Sequence, residues 1–367
     1  MKKVIHVITD TNIGGAGILL LNFLDHHNRA AFDILILLPT NSLLKSELAK
    51  RNVNFMEVEG IAEKSLSVQA IRTLLNIYKK EKPHIVHTHA SFSARISARI
   101  YGKCRIVSTR HSIFDVPKYK TVFPAKQMLG LLNNTFSDAI IAVSPPVKEN
   151  IVLTGTNPKK ITVIPNGTNQ TKELSSDEKI SIRKKFGIQE TNFVCAIIAR
   201  LEKVKGHEDI LKACEMLQKY DPNIKVLIAG SGSEEGNLKN MANALNLTNC
   251  IFTGFIKEIY EIENIMDLQL NASYGTETCS LSLLEGMSLG VPAVASDFGG
   301  NPFVIENGVN GLIFPKRDPQ KLYEAIVELK QNKDRYNKMS ANSRQIYSKK
   351  FTAMAMADKM QKIYSEL

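Results

Sequence analysis

The 367-residue sequence lacks any apolar run near the roughly 18 residues that a membrane-spanning helix needs. It has few cysteines: Cys104, Cys195, Cys214, Cys250 and Cys279 are odd in number, scattered, and form no Cys-x-x-Cys pair. That pattern excludes a disulfide framework and a structural zinc site, and points to a reducing compartment. No dinucleotide fingerprint is complete, because counting Gly-x-Gly-x-x-Gly from Gly15 lands on Leu20 and from Gly230 on Glu235. There is no Walker A loop and no Asp-x-Asp string, so no metal is called for. Residues 4–9, behind Met1-Lys2-Lys3, are too few for a signal-peptide core and include His6. A first strand, and a cytoplasmic protein, are the expectation.

Acidic residues are scarce in one half only. Residues 1–165 hold 22 Lys and Arg against 11 Asp and Glu, whereas residues 166–367 hold 25 of each, so the whole net charge of +11 precedes residue 166. Apolar residues make up 44% and charged residues 23%, which excludes disorder. The asymmetry predicts two domains with different partners, one of them anionic.

Hydrophobic patterning supports that division. Strands are predicted at 4–9, 32–38, 54–58, 85–88, 105–109 and 139–143, with amphipathic helices between them, such as 42–51 and 68–82. After Ile164-Pro165-Asn166-Gly167 a polar run over 168–177 reads as a linker, and the alternation restarts. Strands are predicted at 193–199, 225–229, 249–253, 268–271 and 292–296, then helix from 319 to the end. The expected class is α/β, with two doubly wound Rossmann-like domains and a cleft between them. The domains are 1–167, with helix 351–367 packing back on it through Met354, Met356, Met360 and Ile363, and 168–350.

In such sheets ligands bind beyond the carboxyl ends of the strands, so the loops there carry the chemistry. The first is Asn12-Ile13-Gly14-Gly15-Ala16-Gly17, where glycine lets a ligand approach the backbone and a helix start favours phosphate. After 193–199 come Arg200 and Lys205, two cations suited to a diphosphate, although a solvated basic loop explains them equally. After 268–271 come Glu277 and Glu285, eight residues apart around a helix expected to start near Ser280. One carboxylate could meet a sugar and the other a ribose, with free amides between them for phosphate. His87 and His89 share a strand face and could suggest a metal, but no third ligand lies nearby in the sequence, so a polar strand end is preferred. The segment 95–160 counts 11 basic residues against three acids and mixes Lys118, Lys120 and Lys126 with Val122, Leu129 and Leu132. Those apolar residues suit either packing within the domain or contact with an anionic membrane.

In order along the chain, these strings resemble the retaining, nucleotide-sugar-dependent GT-B glycosyltransferases of family 4. The resemblance also takes in Ala229-Gly230-Ser231-Gly232, Phe252-Thr253-Gly254-Phe255, Gly290-Val291-Pro292 and Ser296-Asp297-Phe298-Gly299-Gly300. It implies a GT-B fold and transfer of a hexose-type sugar, expected to be UDP-linked, to a glycan or lipid-linked acceptor, as in polysaccharide biosynthesis. Arg200 and Lys205 would neutralise the diphosphate, Glu285 would bind the ribose, and Glu277 and His111 would meet the donor sugar. Thr278, Cys279, Ser280 and Leu281 would offer amides to phosphate, Gly14, Gly15 and Gly230 would approach the donor, and Gly254 and Ile256 would border the base. No cofactor or metal is implied, and nucleic acid is not an expected partner. A peripheral place on the inner membrane face is the expected refinement of the location. A GT-B nucleotide-sugar epimerase is the alternative. The sequence departs from the family pattern at Phe303, Thr278 and Thr168-Asn169.

Overall fold

The run Phe32–Pro39 shows how the first sheet is built. Ile34, Ile36 and Leu38 enter one core and Leu35 and Leu37 another, because successive side chains leave a strand on opposite faces. A strand buried on both faces belongs in the interior of a parallel sheet covered by helices on each side. The computed structural model, which describes residues 1–62 and 66–367, divides into two units, Met1–Thr168 with Ala353–Leu367, and Asn169–Thr352.

The first unit holds β1 (Lys2–Ile8), β2 (Phe32–Pro39), β3 (Asn54–Val58), β4 (Ile85–His89), β5 (Arg105–Arg110), β6 (Ala139–Ala142) and β7 (Ile161–Val163). All are parallel, in the order β3-β2-β1-β4-β5-β6-β7. The helix Ala353–Glu366 lays Met356, Met360, Ile363 and Tyr364 into the same core as the helix Gly15–His26. Met354, counted among its apolar anchors on sequence spacing, stays 56% exposed.

The second unit holds β8 (Phe193–Ile198), β9 (Ile224–Ala229), β10 (Cys250–Gly254), β11 (Leu268–Asn271), β12 (Ala293–Ser296) and β13 (Gly311–Phe314), in the order β10-β9-β8-β11-β12-β13. The sequence pattern did not reveal β13, whose four residues follow directly on the turn at Asn307-Gly308. Each sheet therefore reverses its winding direction once, between β1 and β4 and between β8 and β11. Such a switch point opens a crevice at the strand ends, where ligands bind.

Packing within its own domain accounts for only part of the basic, apolar segment of the first unit, where Leu129 is half-buried. The helix Ala125–Thr135 buries only Gly130, and Met128, Leu131 and Leu132 lie exposed on it with Val122 and Phe123 just before. Among the described residues no helix is long and apolar enough to cross a membrane.

Candidate functional site

The second unit's switch point gathers most of the charged candidates. β8 runs into Arg200 and then Lys205, and β11 runs into the loop that carries Glu277. The two loops are joined where the Tyr274 N–H donates to the Val204 carbonyl, 2.9 Å away. Lys205 Nζ donates to Glu277 Oε2 at 2.9 Å, and both side chains are largely buried. Glu277 also accepts from Asn271 Nδ2 at 3.3 Å and from Ser273 Oγ at 3.1 Å. Burial alone would raise its pKa, but the Lys205 charge and these hydrogen bonds hold the carboxyl below its ordinary value. Glu277 is thus a carboxylate fixed in place. Arg200 differs: it is exposed, and its guanidinium has no hydrogen-bond or ion-pair partner among the described residues.

The backbone between the two glutamates is shaped for an anion. The helix Leu281–Ser288 starts after Ser280, whose side chain caps no amide and instead lies 3.0 Å from Ser282 Oγ. Uncapped N-terminal amides carry partial positive charge and favour phosphate. Thr278 and Cys279, just before them, are buried. Gly300 donates its N–H to the Glu277 carbonyl at 3.2 Å, and a Cβ there would sit 1.5 Å from the Thr278 carbonyl oxygen. A side chain at 300 would therefore force the Thr278 carbonyl out of its place in this loop.

Glu285 lies one turn into that helix and is half-buried. Its neighbour Glu263, on the helix Tyr260–Ile265, is buried, and burial followed by the Glu285 charge pushes its carboxyl up to about 9. Burial raises the Glu285 carboxyl as well, so the two titrate as a coupled pair that shares a proton.

The remaining candidates divide into packed and open positions. Gly230 has φ +145°, and a Cβ there would lie 2.0 Å from the Ala199 carbonyl, so loop packing alone demands glycine. Gly254 is a left-handed turn residue with open space around its Cα, and Ile256 is half-buried against the second unit's core. In the first unit Gly14 is the N-cap of the helix Gly15–His26 and makes no side-chain cap. A Cβ at Gly15 would meet nothing within 4 Å, so no protein contact requires glycine there.

His111 follows β5 and is half-buried, its Nε2 3.0 Å from His89 Nδ1. Burial lowers its pKa to about 4, so it is neutral at pH 7. His89 belongs to a larger group. A third imidazole, His6, does lie beside His87 and His89, contrary to the reading from sequence, and ring nitrogens of all three lie within 4.8 Å of one another. The register explains it, because His6 on β1 is paired directly with His87 on β4. Sequence spacing could not supply that pairing, nor the roles of Asn271, Ser273 and Glu263. The available signal was an unusual polar ending to the apolar strand β11.

Comparison with known proteins agrees with this arrangement. The family model described as "Glycosyltransferase Family 4" matches residues 13–172, and that for "Glycosyl transferases group 1" matches 178–346. The UDP-Gal:alpha-D-GlcNAc-diphosphoundecaprenol alpha-1,3-galactosyltransferase of Escherichia coli is 27% identical over 82% of this chain and 80% of its own. The alpha-monoglucosyldiacylglycerol synthase of Acholeplasma laidlawii is 26% identical over 79% of this chain and 77% of its own. Anabaena Alr3699/HepE, solved in complex with UDP and glucose, superposes with a TM-score of 0.86 at 20% identity over the full length of both chains. Two adjoining family models spanning nearly the whole chain, two sheets wound in one order and this set of relatives lead to one assignment: the chain belongs to the family 4 glycosyltransferases of GT-B fold and is a glycosyltransferase.

Proposed function

We propose that the protein is a retaining glycosyltransferase that moves a hexose-type sugar from a UDP-linked donor to a glycan or lipid-linked acceptor, with no metal. The observation that carries this reading is the Lys205–Glu277 pair at the second unit's switch point, between the unpartnered Arg200 guanidinium and an uncapped helix start. Breaking the anomeric carbon–phosphate bond puts positive charge on the sugar and negative charge on the diphosphate. Arg200, the remaining N–H groups of Lys205 and the amides of Ser280 and Leu281 would stabilise the diphosphate, and dipoles held in place do so without reorganisation. The Thr278 N–H, by contrast, already donates to Glu277 Oε1 at 3.3 Å. Glu285, beside Glu263 whose carboxyl is pushed up to about 9, would accept from the ribose hydroxyls. Glu277 and His111 would hydrogen bond the transferred sugar. Same-face attack is the favoured route, in which the acceptor hydroxyl forms the new bond as the phosphate leaves and a departing phosphate oxygen takes the hydroxyl proton. Glu277, committed to Lys205, Asn271 and Ser273, is better placed to orient than to attack.

The UDP-linked donor is supported by the names of the Escherichia coli relative and the Anabaena complex. A lipid-linked acceptor is supported by the two relatives named for such products. Contact with an anionic membrane, the second part of the proposal, rests on the exposed Tyr119, Val122, Phe123, Met128 and Leu131 beside Lys118, Lys120 and Lys126. Incubating the protein with a panel of UDP-sugars, with and without a lipid-diphosphate-sugar acceptor, tests the reaction. Acceptor-dependent release of UDP with retained anomeric configuration is expected. Inversion at the anomeric carbon, or epimerised sugar formed without acceptor, would contradict it.

A further inference from the structure

The core of the first unit contains an unbroken file of neutral polar side chains that reaches His111. Thr109 Oγ1 lies 2.6 Å from His87 Nε2, and His87 Nδ1 meets the Tyr364 hydroxyl. That hydroxyl lies 3.2 Å from His6 Nε2, His6 Nδ1 lies 3.1 Å from His89 Nε2, and His89 Nδ1 lies 3.0 Å from His111 Nε2. His6, His87 and Tyr364 are fully buried and His89 nearly so. Their imidazoles are uncharged at neutral pH because burial lowers each pKa.

A neutral imidazole carries one N–H and one lone pair, so each contact in the file must set a hydrogen against a lone pair. Only two arrangements satisfy every contact and both buried hydroxyl hydrogens. Either all four histidines carry the proton on Nδ1, or all four carry it on Nε2; a mixed set brings two hydrogens or two lone pairs face to face or, where His87 and His6 both donate to Tyr364, leaves its buried hydroxyl hydrogen without an acceptor. Thr109 chooses between them. Its hydroxyl is buried, and His87 Nε2 is its one side-chain hydrogen-bond partner among the described residues. The hydroxyl hydrogen is satisfied only when Nε2 is the acceptor, and an unmade buried hydrogen bond is costly. The same contacts speak against a metal at His6, His87 and His89, because all six of their ring nitrogens already face a partner in the file.

We infer that Thr109, His87, Tyr364, His6 and His89 form a one-way hydrogen-bond relay that fixes His111 as the neutral Nδ1–H tautomer. This rests on the proposal that His111 touches the transferred sugar. Nδ1 of His111 then already carries its hydrogen and takes up no further proton, so the acceptor's proton must go elsewhere. Tyr364 and the buried histidines act through His111 and are positioning residues.

Two-bond ¹H–¹⁵N correlation spectra of the full-length protein, labelled with ¹⁵N-histidine and recorded at pH 7.5, test the relay. His6, His87, His89 and His111 should all show Nδ1 protonated. Tyr364→Phe keeps the ring and removes the central hydroxyl, so His6, His89 and His111 should shift to mixed tautomers. If that variant fails to fold, Thr109→Val, which removes the group that sets the direction, should give mixed tautomers at all four. A parent spectrum with any of the four protonated on Nε2 would overturn the inference. So would an unchanged His111 signal in both variants, or stoichiometric zinc surviving dialysis against a chelator. Adding UDP-glucose to the parent separates the two claims. A His111 resonance that does not move removes its role at the sugar and leaves the tautomers as measured.

Discussion

The two units wind six strands in the same order and equip their switch points in opposite ways. In the first, the strands beside the switch carry His6, His87 and His89, buried and neutral. In the second, the strand ends lead to an ionised Lys205–Glu277 pair, an exposed Arg200 and a carboxyl pair sharing one proton. The surface charge runs the other way, with the entire net +11 in residues 1–165. Fold order therefore sets where chemistry can sit, and the residues at the strand ends decide its kind. The second unit has the fixed positive charge that a diphosphate leaving group would need in the proposed reaction. The first unit's uncharged file sets hydrogen-bond direction without attracting counter-ions into the core.

The largest expected effect comes from breaking the charged side. Lys205→Ala should lower kcat by about 10²–10³, as loss of one preorganised donor does elsewhere. It should also destabilise the second unit by about 3–5 kcal/mol, because Glu277 is left as an unpaired buried carboxylate. Arg200→Ala should cost activity with no loss in melting temperature, since nothing in the fold leans on it. Steady-state kinetics beside thermal unfolding check both, and equal destabilisation by the two variants would erase the distinction drawn between them.

Acid should separate the units next. His6 has a folded pKa of about 3 against 6.5 unfolded, and His87 and His89 are also held well below 6.5. Between pH 6.5 and about 4 the unfolded chain binds protons that the native first unit refuses, so stability falls as pH falls. With His111, lowered to about 4, four such histidines give a slope of about 5 kcal/mol per pH unit. The second unit's His207, lowered to about 4 by burial and Lys205, contributes about a quarter of that slope, and Glu263, raised to about 9, opposes it. Hydrogen exchange at pH 7.5 and 5.5, corrected for intrinsic rates, should show the first unit losing protection first. Equal loss in both would break the comparison.

A smaller effect is expected from Gly300→Ala, which forces the Thr278 carbonyl aside at a cost of about 1–3 kcal/mol. It should raise KM for the donor more than it lowers stability, read from kinetics and melting temperature together. The smallest belongs to the membrane proposal. Changing Lys118, Lys120 and Lys126 to Glu should remove binding to anionic vesicles at low salt, each lysine being worth about 1 kcal/mol. Parent protein indifferent to such vesicles would leave a soluble acceptor as the better reading.

Strand–helix alternation and the loops after 193–199 and 268–271 were legible because period, glycine and charge are local signals. The expected helix start near Ser280 lies one residue from the observed Leu281, and most strand ends fall within one or two residues. What stayed hidden depends on contacts between distant parts of the chain. The neighbour that His87 and His89 lacked in sequence is His6, some eighty positions earlier, and Tyr364 reaches the same file from the last helix. Glu263 reads as an ordinary exposed glutamate on a short helix until its burial beside Glu285 is known. Gly230, picked out as a ligand-facing glycine, already has a packing reason to be glycine, whereas Gly15 has none.

Calorimetric titration of UDP, without its sugar, into the parent, Arg200→Ala and His111→Ala tests the central division most directly. The account predicts that Arg200→Ala weakens UDP binding by about tenfold or more, near 1.4 kcal/mol. His111→Ala should leave UDP affinity unchanged and show its loss only when the sugar is attached. Undiminished UDP affinity in Arg200→Ala, or a loss in His111→Ala as large as that in Arg200→Ala, would contradict it.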